Sequence, residues 1–194
     1  MKKLLLFVVS ALLLASLSAQ AQNMRVRGTI TSLDGDVLSV KTREGKDVKI
    51  QLAPDAQVST AKKVSATEFK AGSYVGVTSL KGPNGQLVAK RVHALGPQVP
   101  QMHGAWDSLP GSTMTNSTIS SITKAGGGNE LTLKNKDGEQ KILVNAQTEY
   151  FNFAPGTRAD LKKGETIFTG ARVDGDKLLA QRVAVSKDGV KPPQ

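Results

Sequence analysis

The chain has 194 residues, a formal net charge of +10 and no cysteine. The lack of thiols excludes disulfide bonds, thiolate metal sites and a cysteine nucleophile. The excess of Lys and Arg favours partners with acidic surfaces.

The first residues predict an export signal. Lys2 and Lys3 precede the apolar run 4–17, and Ala19-Gln20-Ala21 supplies the small residues of a cleavage site. We therefore expect residues 1–21 to be a signal peptide, and the mature protein to be periplasmic or secreted. The apolar run is shorter than the ~20 residues of a membrane-spanning helix, so no transmembrane segment is expected after cleavage. No cysteine follows the run, which argues against a lipid anchor.

Two segments of the remaining chain resemble each other, 22–95 and 116–186. The first contains T-I-T-S-L from Thr29 and ends with L-V-A-K-R-V, and the second contains T-I-S-S-I from Thr118 and ends with L-L-A-Q-R-V. Such internal similarity predicts two copies of one structural unit.

Each copy is predicted to contain short strands and a short helix. In the first copy, alternating apolar residues predict strands at 25–33, 37–42 and 48–52. Ser65-Ala66-Thr67-Glu68 is a capping-box sequence, which predicts one or two turns of helix ending near Gly72. Two further strands follow, and the second copy repeats this order with Thr157 to Asp160 and Gly164.

Three strands, a short helix and two strands predict an all-β fold of two tandem five-stranded OB-like Greek-key barrels. A β-sandwich is the alternative. Residues 96–115 are rich in Pro and Gly and are expected to be a linker. Residues 187–194 are expected to be a disordered tail.

The linker contains a candidate soft-metal site. Met102, His103, Trp106 and Met114 combine thioether and imidazole groups, which are ligands that select Cu(I) or Ag(I). The set is similar to the His, Met and Trp ligands of small periplasmic OB-barrel copper chaperones. That resemblance implies copper as a ligand. Packing of Trp106 and the methionines against a barrel is the alternative.

Other candidate ligand-binding residues lie in the copies themselves. Tyr150, Phe151 and Phe153 form an aromatic cluster that could stack on a sugar, or form a buried strand end. Arg91 and Arg182 occupy equivalent positions in the last strands. They could hold an acidic group, or protect an exposed sheet edge.

No motif predicts catalysis: no nucleophile elbow, H-E-x-x-H or phosphate-binding loop is present. The mature chain contains the motifs G-T-I-T-S-L (28–33), L-S-V-K (38–41) and F-K-A-G (69–72). In these motifs it resembles an uncharacterised family of exported bacterial proteins built from tandem small β-barrel repeats. We expect a non-enzymatic envelope protein that binds a protein, glycan or anionic lipid surface rather than nucleic acid, with soft-metal binding as the alternative. The oligomeric state stays open.

Overall fold

The computed structural model describes residues 23–136 and 138–192. The predicted signal peptide and the last two residues of the predicted tail lie outside the described residues. The described residues are almost entirely β, which confirms the predicted fold class. The strands are β1 (Asn23–Asp34), β2 (Val37–Thr42), β3 (Asp47–Lys63), β4 (Tyr74–Lys81), β5 (Leu87–Ala94), β6 (Met102–Trp106), β7 (Ser112–Ala125), β8 (Gly128–Asn135), β9 (Gly138–Val144), β10 (Glu149–Pro155), β11 (Thr166–Asp174) and β12 (Lys177–Val185).

The strands close into two five-stranded barrels. In what we call the first barrel, the order is β12-β11-β1-β2-β3, and pairing of β3 with β12 closes it. In the second barrel the order is β5-β4-β7-β8-β9, and pairing of β5 with β9 closes it. Each barrel therefore takes three consecutive strands from one half of the chain and two from the other. Neither sequence copy closes a barrel with its own strands, which differs from the expected arrangement.

The hydrophobic cores show the same exchange. The core of the first barrel joins Ile30 and Ile50 with Ile167 and Val185, and all four side chains are at most 1% exposed. The core of the second barrel joins β4 and β5 with Ile119 and other residues of β7 to β9. Each such buried aliphatic side chain stabilises the fold by about 1.5 to 3 kcal/mol relative to full exposure. The halves of the chain thus share both cores.

The predicted short helices are single 3-10 turns, Ala66–Glu68 and Arg158–Asp160. Ser65 accepts a hydrogen bond from the backbone of Thr67, but the Glu68 carboxylate accepts one from Asn152 instead of completing a capping box. Both turns are too short for an α-helical ladder because a left-handed glycine follows closely. Gly72 has φ of 90° and Gly164 has φ of 93°. Each glycine donates its N–H to the opposite half, at Ile119 and Ile30.

Two segments expected to lack structure are ordered. The predicted linker contains β6, which pairs antiparallel with the start of β7 from Met102 opposite Asn116 to Trp106 opposite Ser112. In the predicted tail, Lys187 and Val190 form a β-bridge, and the Lys187 ammonium lies 3.0 Å from a carboxylate oxygen of Asp160. The part of the tail up to residue 192 therefore makes specific contacts.

Candidate functional site

Strand β10 joins the two barrels. It pairs antiparallel with the end of β3, where Phe151 lies opposite Lys63. On its other side it pairs parallel with β5, where Glu149 lies opposite Arg91 and Phe151 opposite His93. Because successive side chains of a strand point to opposite faces, Phe151 and Phe153 share a face, and Tyr150 lies on the other.

An aromatic cluster fills one face of this junction. The His93 ring stacks on Phe151 with centroids 5.0 Å apart, and the Phe153 ring meets both of these rings edge-on. Phe151 is 2% exposed and Phe153 is 37% exposed. Tyr150 lies apart from this cluster and packs on Phe69, with centroids 5.6 Å apart. The predicted aromatic cluster is thus divided between the two faces of β10.

His93 is enclosed so tightly that its protonation is disfavoured. Burial, and secondarily the charge of Arg91, lower the pKa of His93 from its ordinary 6.5 to about 4. Its Nδ1 has no hydrogen-bond partner among the described residues. A Cβ placed on Gly76 would lie 2.5 Å from Cε1 of His93, so the glycine makes room for the ring. His93 is therefore a neutral packing residue at neutral pH.

Arg91 and Arg182 have different surroundings. The Nε of Arg91 donates to Glu149 at 2.8 Å, and its NH1 donates to the carbonyl of Pro192 at 3.2 Å. Arg182 is exposed on β12, at a position paired with Gln57. The two arginines therefore serve separate surfaces, and only Arg91 lies at the junction.

A groove of about 420 Å³ lies beside the junction and brings together several predicted site residues. We call it the junction groove; its lining comprises Arg91, Tyr150 and Phe151 together with Lys63, Glu149 and residues 189–191. Burial raises the pKa of the Tyr150 hydroxyl, which keeps it a neutral hydrogen-bonding group. Phe153 and Arg182 do not line this groove.

A second groove of about 460 Å³ adjoins the first. Lys62, Lys187 and Asp188 line it, and it shares Lys63 and Val190 with the junction groove. Together the two linings contain five cations and two carboxylates. The C-terminal residues 187–191 thus separate two grooves that are both predominantly basic.

The four predicted metal ligands lie in the β6–β7 hairpin instead of a loop. Met102 and Trp106 share one face of β6, and Met114 lies opposite Gly104 on that same face. His103 points to the other face, where its Nδ1 lies 2.9 Å from the Thr115 hydroxyl. The strand geometry therefore separates the imidazole from the sulfur atoms. Copper binding stays a prediction, without support from this arrangement.

Trp106 takes part in a cluster that the sequence analysis missed. The guanidinium carbon of Arg25 lies 4.4 Å from its ring centroid, and that of Arg27 lies 5.5 Å away. Arg27 donates to the Asp107 carboxylate at 2.8 Å, and Arg43 donates to the carbonyl oxygens of Asp107 and Ser108. These arginines come from the first barrel, so they hold the tip of the β6–β7 hairpin against it.

No group of three or more His, Cys, Asp or Glu side chains among the described residues is arranged to hold a metal ion. Within the same part of the chain, no helix is both long enough and apolar enough to cross a membrane.

Comparison with known proteins gives one match. Residues 27–93 are covered by a domain of unknown function, DUF5666. No curated protein and no solved structure matches the chain. The DUF5666 segment spans most of β1, all of β2 to β4 and β5 except its last residue, so its strands are divided between the two barrels. In this chain the matched segment is therefore not a self-contained barrel.

Proposed function

We propose that this protein is a non-enzymatic binding protein of the bacterial cell envelope, and that the junction groove receives an anionic group of its ligand. The observation that carries the proposal is the convergence of Arg91, Lys63 and Lys191 with Tyr150 around one groove. Cations supply attraction for a carboxylate or phosphate, and the tyrosine supplies an apolar face with a polar end.

The ion pair already present does not prevent this role. The Glu149 side chain is 65% exposed, whereas that of Arg91 is 21% exposed. An ion pair with so exposed a partner contributes at most about 1 kcal/mol. A ligand carboxylate can therefore replace Glu149 at the guanidinium while Arg91 keeps its contact with Pro192.

The length of the basic surface favours a ligand with several charges. The two adjoining grooves share Lys63 and Val190, so an extended acidic glycan could follow both. The envelope location rests on the N-terminal sequence, and the non-enzymatic character rests on the missing catalytic motifs.

We also propose that segments 22–95 and 116–186 are repeats of one OB-like unit. Corresponding registers support this: Gly28 lies opposite Ile167 between β1 and β11, and Ser117 lies opposite Val75 between β7 and β4. The proposal implies that the two barrels arose from one unit whose strands exchanged between copies.

The ligand proposal is tested by calorimetric titration of the mature chain with an acidic oligosaccharide, oligogalacturonate. We expect binding at low salt that weakens strongly when ionic strength is raised to about 1 M, where the Debye length is about 3 Å. Lys63→Gln and Arg91→Gln should each weaken it. Lys124→Gln, at the β7–β8 hairpin, is the matched control and should not. Equal binding by all three variants, or no binding by the wild type, would exclude the junction groove as the site.

A further inference from the structure

A separate cavity of about 540 Å³ lies along strands β3, β11 and β12 of the first barrel. It shares no lining residue with the junction groove. Its lining includes Leu52 and Ala180, which are 1% and 0% exposed, and the carboxamides of Asn23, Gln51 and Gln181. The volume lies within the range of about 300 to 1,000 Å³ that is usual for small-molecule sites.

The cavity exists because two strand ladders are interrupted at the same place. Between β3 and β12, Leu52 pairs with Ala180, but the next pair is Gln57 with Arg182. Four residues, 53–56, therefore face the single residue Gln181. The pairing of β11 with β12 also shifts between Phe168 and Ala171. Such bulges bend strands and are common beside ligand sites.

The second barrel closes the corresponding place with a turn. There Val88 pairs with Leu143 and Arg91 with Glu149, so the five residues 144–148 face the two residues 89 and 90. The Thr148 hydroxyl accepts from the backbone N–H of Asn145 and donates to the carbonyl of Ala89, each at 3.0 Å.

In the first barrel, Ala180 corresponds to Ala89 in sequence, and Ala56 stands where Thr148 would be. Ala56 has no hydroxyl with which to form the same closure. The Arg158 guanidinium donates to the carbonyl of Ala53 at 2.8 Å, which holds this segment in a different way. One barrel is thus sealed where the other is open.

We propose that this cavity binds an N-acetylated amino sugar of a neutral glycan. The methyl of an acetamide group fits the apolar surface of Pro54 and Leu179, which line the cavity and are not fully buried. The Gln181 carboxamide offers a donor and an acceptor, which complements both the C=O and the N–H of an amide. The Gln51 side chain donates to the carbonyls of Asp36 and Leu52, each at 3.4 Å, so it offers the ligand its oxygen as an acceptor. No aromatic side chain lines the cavity, so recognition depends on hydrogen bonds and on the acetamide methyl instead of ring stacking.

The cavity rim supplies partners for sugar hydroxyls. Asp36 and Arg172 line the opening, and a hydroxyl can donate to the carboxylate or accept from the guanidinium. This inference does not depend on the anionic ligand of the junction groove, because the two sites have different linings and the proposed ligand of the cavity is neutral.

The test is calorimetric titration of the mature full-length chain with the disaccharide of N-acetylglucosamine, with cellobiose as the control that lacks acetamide groups. We expect the acetylated sugar to bind and cellobiose to bind at least tenfold more weakly. Gln181→Ala should weaken the binding severalfold, since it removes one neutral hydrogen bond worth about 1 kcal/mol. Equal binding of both sugars, or no binding of the acetylated sugar, would overturn the proposal.

Two further variants locate the site. A Cβ on Gly170, which lines the cavity, would meet no atom within 4 Å, so Gly170→Leu should occupy the open space and abolish binding. Gly104→Leu is the matched control, because its Cβ is equally unobstructed and it does not line the cavity. Retained binding in Gly170→Leu, or equal loss in both leucine variants, would contradict the assignment. If Gly170→Leu does not fold, Gln181→Ala, a change at an exposed position, still tests whether the cavity is the binding site.

Discussion

At one equivalent position, the two barrels place a large ring on opposite members of a strand pair. In the first barrel, Phe168 of β11 lies opposite Ala184 of β12. In the second barrel, Gly76 of β4 lies opposite His93 of β5. Each pair joins one large ring with one small residue, but the ring comes from the other strand of the pair. Each pair therefore combines a ring with a small side chain at this position of the wall. The ring faces a different neighbour in each barrel.

The neighbour determines the role of each ring. Arg27 lies opposite Phe168 on β1, with its guanidinium carbon 4.6 Å from the ring centroid, and it holds the β6–β7 hairpin through Asp107. Burial lowers the pKa of Arg27, and the hydrogen bond to Asp107 counteracts this effect. In the second barrel, His93 instead supports β10. One ring position therefore anchors a hairpin, and the other anchors the junction between the barrels.

The largest expected effect is at Phe151, which stacks on His93. Phe151→Ala should lower the free energy of unfolding by about 3 to 5 kcal/mol, because it removes a buried ring and leaves a cavity. Chemical denaturation measures the loss. The corresponding residue of the first barrel is Ser59, opposite Ala184. Ser59→Ala is the control and should cost less than about 1 kcal/mol. Similar losses in both variants would contradict the asymmetry between the barrels.

The next largest effect is expected on acidification, which should destabilise the second barrel through His93. The folded-state pKa of His93, about 4, lies below the unfolded value of 6.5, so the unfolded chain binds the extra proton between these values. The contribution of His93 is complete above pH 6.5 and is lost as the pH falls toward 4. A pKa difference of this size corresponds to about 3 kcal/mol.

The measurement compares unfolding of the wild type and His93→Phe between pH 7 and about 4, the lower end of the window set by burial. The variant keeps a ring in place and should lose the His93 part of the pH dependence, while the carboxylates contribute equally to both proteins. Parallel curves for the two proteins would show that folding does not shift the pKa of His93, and would contradict the prediction.

A smaller effect is expected at Gly76. Gly76→Ala would place a methyl group 2.5 Å from the His93 ring, and the stacked Phe151 restricts the movement of that ring. Overpacking of this kind costs about 1 to 3 kcal/mol. Gly170→Ala, whose Cβ meets no atom within 4 Å, should change stability by less than half as much. Thermal unfolding of both variants distinguishes a crowded position from an open one.

These positions also show where sequence reasoning succeeds and fails. Alternation predicts the strands, and Gly72 and Gly164 mark the ends of the short turns. The exchange of strands between halves was not predictable, because β4 and β11 present similar alternating faces to either partner, and alternation specifies a face but not a chain segment. The sequence did not predict β6 either. Its residues Met-His-Gly-Ala-Trp alternate, but the surrounding Pro and Gly residues favour a loop.

The residues of the predicted site also come from both halves of the chain. Phe151 and Arg91 belong to different halves, and only the parallel pairing of β10 with β5 brings them to one groove. Local sequence contains no signal for that long-range register. The cluster around Trp106 had a weak signal, since Arg25 and Arg27 alternate on β1. Arginine side chains are ordinarily exposed, however, and the burial of Arg27 depends on a hairpin about 80 residues away.

The smallest expected effect tests the closure of the second barrel. Thr148→Ala removes the hydroxyl that donates to Ala89 and makes this turn resemble the one containing Ala56. We expect a loss of about 1 kcal/mol, since a buried carbonyl gives up one neutral hydrogen bond. Amide hydrogen exchange provides the sharper measurement: protection should fall at residues 145–148 and stay unchanged at 53–56. If the closing turn is what distinguishes the barrels, Ala56→Thr should raise protection at 53–56. An unchanged exchange pattern in both variants would show that the threonine does not set how far the wall opens, and that the bulge does, with its excess of three residues in each barrel.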